Sequence, residues 1–115
     1  MKKILGMKKL LKIYIDTDDK YENEPLWQVI LNYAKSEGLN GATVYKSIGG
    51  MGLHSEIKSY TVVALSQSLP LVIEIIDDKR KIEKFLKKLD TILEEGLVTM
   101  SDVDVIRYKH KSEIS

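Results

Sequence analysis

Leu11, Ile13 and Ile15 alternate with Lys12 and Tyr14, and this period of two predicts a strand from about Lys8 to Ile15 that stops at the polar cluster Asp16-Thr17-Asp18-Asp19. The period then changes. Leu26, Val29, Ile30, Tyr33 and Ala34 follow the i, i+3, i+4, i+7, i+8 spacing of one helical face, with Pro25 suited to the first helical residue and Gly38 to the stop. Ala42 to Ile48, rich in β-branched and aromatic residues, predicts a second strand closed by Gly49-Gly50-Met51-Gly52. A long polar excursion follows, with a strand-like stretch at Tyr60 to Leu65, before the apolar run of a third strand, Leu69 to Ile76. Asp77 or Asp78 is placed to cap a second helix, in which Ile82, Phe85, Leu86, Leu89, Ile92 and Leu93 keep helical spacing; Leu97 to Ile106 reads as a fourth strand.

The order β-α-β-β-α-β predicts an α+β ferredoxin-like sandwich, with both helices on one face of a mostly antiparallel sheet. Residues 8–107 form the expected domain. Residues 1–7 read as an N-terminal extension outside the fold, with Met7 a possible alternative start, and 108–115 as a polar tail. The third strand is apolar on both faces, Leu71, Ile73 and Ile75 against Val72 and Ile76, and the first repeats this with Leu10 and Tyr14 around Lys12. A two-layer sandwich covers only one sheet face, so the second face predicts self-association, with Lys12 and Glu74 paired across neighbouring strands.

Composition narrows the chemistry. The 115 residues are 43% hydrophobic, enough for one core, and 18 basic against 17 acidic side chains leave a formal charge of +1, which provides no global attraction to nucleic acid. The cations of the second helix are interleaved with acids over a regular apolar stripe and read as a solvated face. Cysteine is absent, which suits a reducing compartment and removes thiolate chemistry; cytoplasm is the expected location. No run approaches the ~20 apolar residues of a membrane helix, and no signal-peptide cleavage pattern follows the basic start.

The glycine cluster can offer bare backbone N–H groups to an anion, although taken alone it reads first as a flexible tight turn; it matches neither a dinucleotide fingerprint nor a Walker loop. His54 and His110 are the only histidines, too few for a structural zinc site, so no metal is expected. Asp16, Asp18 and Asp19 lack the glycine and distal glutamate of a calcium loop and suit turn formation instead. A small enzyme using His54 with Glu56, and a metal-binding or structural trimer, stand as alternatives to a binding protein.

Leu39-Asn40-Gly41-Ala42-Thr43-Val44, then Gly50-Met51-Gly52, then Leu65-Ser66-Gln67-Ser68-Leu69-Pro70 running through Leu71 to Asp77, resembles the PII-like family called domain of unknown function 190. The likeness extends from about Lys8 to Ile106. It implies a non-enzymatic signalling homotrimer with its sheets turned inward. It also implies a T-loop between strands two and three, a small anionic ligand such as AMP, ADP or another adenine nucleotide in each inter-subunit cleft, and a partner protein, a membrane transporter being one candidate. Carried over by position, Gly50, Met51, Gly52 and His54 form the loop base, Ser66 the cleft wall, and Arg107 and Lys109 a basic pair from the neighbouring subunit; Lys58 and Tyr60 lie in the partner loop. Where PII proteins have a glycine- and basic-rich phosphate loop, this chain has only Glu94-Glu95-Gly96, which disfavours the polyphosphate of ATP. Ser68 and Lys58 also depart from the family's frequent Asp and His.

Overall fold

The computed structural model describes residues 5–47, 49–51, 57–59 and 69–108, the two short segments 49–51 and 57–59 by their backbone alone. Strand β1 (Gly6–Asp16) is followed by a two-strand hairpin, β2 (Lys20–Tyr21) and β3 (Glu24–Pro25), and by helix α1 (Leu26–Ser36). Next come β4 (Thr43–Lys46), β5 (Gly49–Met51), β6 (Ile57–Ser59), β7 (Pro70–Asp77), helix α2 (Lys79–Ile92) and β8 (Leu97–Val105). Four strands make one sheet in the order β4-β7-β1-β8, every neighbouring pair antiparallel. This is the ferredoxin-like sandwich.

Alternation decides which side chains meet the helices. Leu11, Ile13 and Ile15 of β1 and Leu71, Ile73 and Ile75 of β7 are buried against Leu26, Ile30 and Ala34 of α1 and Ile82, Phe85, Leu89 and Ile92 of α2. Trp27 is half-buried at the edge of this core. The period-two phase carries one more residue inward. Asp77 is 1% exposed, and its carboxylate accepts from the Asn40 backbone N–H (2.9 Å), the Asn40 side-chain amide (3.0 Å) and the Asp78 N–H (2.7 Å). A buried carboxylate is tolerable only with such partners, and here they fasten the α1–β4 connection to the end of β7.

Several boundaries differ from the sequence reading. β1 begins at Gly6, because Gly6 and Met7 continue the ladder with Val105 and Asp104 of β8; two residues assigned to the extension therefore belong to the sheet. Pro25 ends β3 and occupies the N-cap position, so α1 begins one residue later. Asp78 is the N-cap of α2, but its carboxylate pairs with Lys8 at 2.6 Å and makes no side-chain cap bond. That contact with Lys8 holds the Asp78 carboxyl below the usual carboxylate range. The exposed Lys79, Arg80, Lys84, Lys87 and Lys88 confirm the solvated face of α2. Among the described residues no helix is long and apolar enough to cross a membrane.

Candidate functional site

Gly49, Gly50 and Met51 form β5, which turns back on β6 with Gly50 opposite Lys58 and Met51 opposite Ile57. The glycine cluster thus starts a short hairpin. Gly52, His54, Tyr60, Ser66 and Lys109 lie outside the described residues, as do the stretch 61–65 and His110.

Two hydroxyl side chains fasten the roots of the β4–β7 connection. The Ser47 N–H and Oγ both donate to the Pro70 carbonyl (3.0 and 2.9 Å), while Thr17 donates its N–H to the Leu69 carbonyl (2.7 Å) and accepts from the Leu69 N–H at Oγ1 (2.8 Å). The loop base is therefore bonded directly to the turn that ends β1. The sequence reading assigned no role to Thr17 or Ser47: Ser47 falls inside the expected strand 42–48, and only the end of β4 at Lys46 shows it to be a residue of the loop root.

That turn is acidic and ordered by its own backbone. Asp19 Oδ2 accepts from the Asp16 N–H at 2.9 Å, the Asp19 N–H donates to the Asp16 carbonyl, and the Asp19 carbonyl accepts from Leu26 at the start of α1. Carboxylate oxygens of Asp16, Asp18 and Asp19 lie within 4.8 Å of one another. Burial pushes the Asp19 carboxyl above its ordinary range; the hydrogen bond from Asp16 opposes this, and the charges of Asp16, Asp18 and Glu95 add to the rise. Glu95 belongs to the link between α2 and β8. Its neighbour Gly96 lies at φ +137°, so close to β1 that an added Cβ would stand 2.8 Å from the Tyr14 carbonyl oxygen. The link is short and acidic, and Gly96 packs directly against β1.

Arg107 is exposed, two residues beyond β8. β8 ends where Val105 faces Gly6, whereas the loop base is at Asp16 and Thr17, the other end of the same strand. Ten residue steps at ~3.3 Å each separate those ends by roughly 33 Å. Within one chain, Arg107 and the glycine hairpin do not share a site. A shallow groove of about 370 Å³ beside the link is lined by Leu86, Lys87, Leu89, Asp90, Leu93 and Val98, and its surface is mainly apolar.

The family model of domain of unknown function 190, described as "Uncharacterized ACR", matches residues 8–105. A UPF0166 protein of Aquifex aeolicus is 42% identical over 99 residues, covering 86% of this chain and 93% of that protein. One from Methanocaldococcus jannaschii is 38% identical over 100 residues, covering 86% and 92%. Among solved structures, the fold is similar to CPII, a nitrogen regulatory PII-like protein from Thiomonas intermedia K12 bound to ADP, AMP and bicarbonate, with a TM-score of 0.66, 17% identity, and coverage of 90% of this chain and 92% of that one. A second CPII structure, bound to ADP and bicarbonate, gives a TM-score of 0.64 at 18% identity, with the same coverage. A match across nearly the whole sheet-and-helix unit, joined to a PII-like fold, makes this chain a member of the DUF190 (UPF0166) family.

Proposed function

We propose that this chain is a non-enzymatic, PII-like regulatory subunit acting in the cytoplasm as a homotrimer. It binds a small anionic metabolite of the adenine-nucleotide class between subunits and presents the β4–β7 loop to a partner protein. The observation that carries the reading is the separation of the glycine hairpin from Arg107 by the full length of β1. A site that uses both therefore requires a neighbouring copy of the chain. Support also comes from the likeness in fold to CPII, which holds ADP, AMP and bicarbonate.

In the cleft, Gly50, Met51, Gly52 and His54 form the loop base, with backbone N–H groups from Gly50 to Gly52, Ser66 lines the wall, and Arg107 and Lys109 of a second subunit meet the phosphate. Lys58 and Tyr60 belong to the surface offered to the partner. The acidic link Glu94-Glu95-Gly96 stands where PII proteins have a basic phosphate loop and offers no cradle to a polyphosphate, so AMP and ADP are preferred to ATP. Ligand binding shifts the conformers of the loop whose roots Thr17 and Ser47 hold, and the shift is limited to the differential affinity of the ligand for those conformers.

The test is a thermal-shift series with AMP, ADP and ATP at millimolar concentration, accompanied by light scattering. A ligand at ~100 times its Kd adds about 2.7 kcal/mol to the stability of the form it binds. AMP or ADP is expected to raise Tm more than ATP does, and Arg107→Gln to remove the rise. The expected mass is three times 13.1 kDa, about 39 kDa. If none of the three nucleotides moves Tm, the nucleotide reading fails.

A further inference from the structure

The sheet face turned away from the helices is arranged in rows across the strands. One row contains Thr43, Glu74, Lys12 and Thr99, each directly opposite the next in the ladders of β4, β7, β1 and β8. Lys12 Nζ lies 3.7 Å from Glu74 Oε2, and the Tyr45 hydroxyl donates to Glu74 Oε1 at 3.2 Å. On one side of this polar belt is the row Tyr45, Val72, Tyr14 and Leu97; on the other are Ile76 and Leu10. Tyr45 and Leu97 are 49% and 57% exposed. The Lys12–Glu74 pair thus crosses the middle of this face between two rows rich in apolar side chains; Ser101 faces Leu10 in the second of these, and Lys8, paired with Asp78, follows beyond it.

We propose that this belt sets the register and stoichiometry with which copies of the chain associate through their open sheet faces; the inference rests on the homotrimer reading above. The belt has no net charge and carries both donors and acceptors, so it is complementary to the same belt on another copy. Same-face rows recur every second residue, about 7 Å apart along a strand. A slip of one row sets Lys12 and Glu74 against Leu10, Ile76, Val72 or Tyr14 of the other copy and leaves desolvated charges without external partners. Apolar rows alone tolerate such slips. The belt penalises a slip of one row in either direction, as single buried polar positions do in helical assemblies.

The experiment measures mass against concentration by light scattering for wild type, Lys12→Glu, Glu74→Lys, the double exchange, and the apolar double variant Lys12→Met with Glu74→Leu. Each single reversal places like charges in the belt and is expected to weaken association on the order of a hundredfold. The double exchange restores the wild-type mass, and the apolar variant still associates but as a mixture of masses. Lys12 and Glu74 are partly exposed in the isolated chain, with side chains 37% and 25% accessible, so the reversals are read on proteins whose circular-dichroism melts match wild type. Lys12→Thr, which removes one charge and adds none, replaces a reversal that does not fold. Single reversals that associate like wild type, or an apolar variant with the single wild-type mass, overturn the proposal. A wild-type protein that is monomeric throughout overturns the homotrimer reading itself, a separate and recognisable result.

Discussion

Replacing Gly96 by alanine tests whether the acidic link is pinned to the sheet. The perturbation has two parts. At φ +137° an L-residue is strained, which costs about 1–3 kcal/mol. The new Cβ would also stand 2.8 Å from the Tyr14 carbonyl oxygen, 3.4 Å from Ile15 Cγ2 and 3.5 Å from Leu93 Cδ1. Tyr14 cannot easily retreat, because it is paired with Leu97 on one side and Val72 on the other. Strain and contact together amount to about 2–4 kcal/mol, a large fraction of the ~5–15 kcal/mol that holds a domain folded. With an unfolding entropy of ~2.1 cal/mol/K per residue, this chain loses about 0.24 kcal/mol per degree, so Tm falls by roughly 8–16 °C. Gly38→Ala is the control: φ is +76° there but nothing lies within 4 Å of the added Cβ, so only the ~1–2 kcal/mol of left-handed strain applies. Melts followed by circular dichroism at fixed pH and protein concentration give both numbers. If Gly96→Ala costs no more than Gly38→Ala, the link is free to move away from β1 and the argument for a rigid acidic end is wrong.

Asp77→Ala removes the acceptor of three part-buried bonds from Asn40 and Asp78 and is expected to cost about 1–3 kcal/mol in urea unfolding, with Asp77→Asn intermediate because one acceptor oxygen survives; a loss below ~0.5 kcal/mol for the alanine variant refutes the role given to that carboxylate. Asp19 gives a pH prediction. Its carboxyl is raised in the folded chain, so folding favours the protonated form, and ionisation imposes a penalty that is absent below the ordinary carboxylate range and complete above the folded value. Asp19→Asn removes that penalty while retaining an acceptor for the Asp16 N–H. The variant should melt above wild type at pH 7, with the gap closing on acidification through the carboxylate range. The lowered carboxyls of Asp78 and Asp102 are common to both proteins and cancel in the difference. A gap that does not change with pH removes the electrostatic explanation.

The periodicities alone determined the architecture. Leu11-Ile13-Ile15 and Leu71-Ile73-Ile75 specify which face of β1 and β7 is buried, and the stripes of α1 and α2 specify what covers it, because a strand or helix has one spacing that gathers apolar side chains on one side. The Lys12–Glu74 pair was legible for the same reason: opposite positions on neighbouring strands follow from topology and phase. Strand ends were less legible. Gly6 and Met7 join β1 because β8 offers them ladder partners, and no local property of those residues announces it.

Of the candidate site, the sequence determined the residue types and their order along the chain: a glycine cluster after one strand, an acidic link after the second helix, an arginine beyond the last strand. Tertiary structure decided what is near what. The inward phase of Asp77 was readable, but its bonds to Asn40, 37 residues earlier in the chain, were not. Likewise Thr17 meets Leu69, Glu95 comes near enough to Asp19 for its charge to add to the rise of that carboxyl, and Arg107 is carried to the far end of β1 from the glycine hairpin. The physical reason is that periodicity constrains each segment separately, whereas contacts between segment ends depend on strand order, register and connection length taken together.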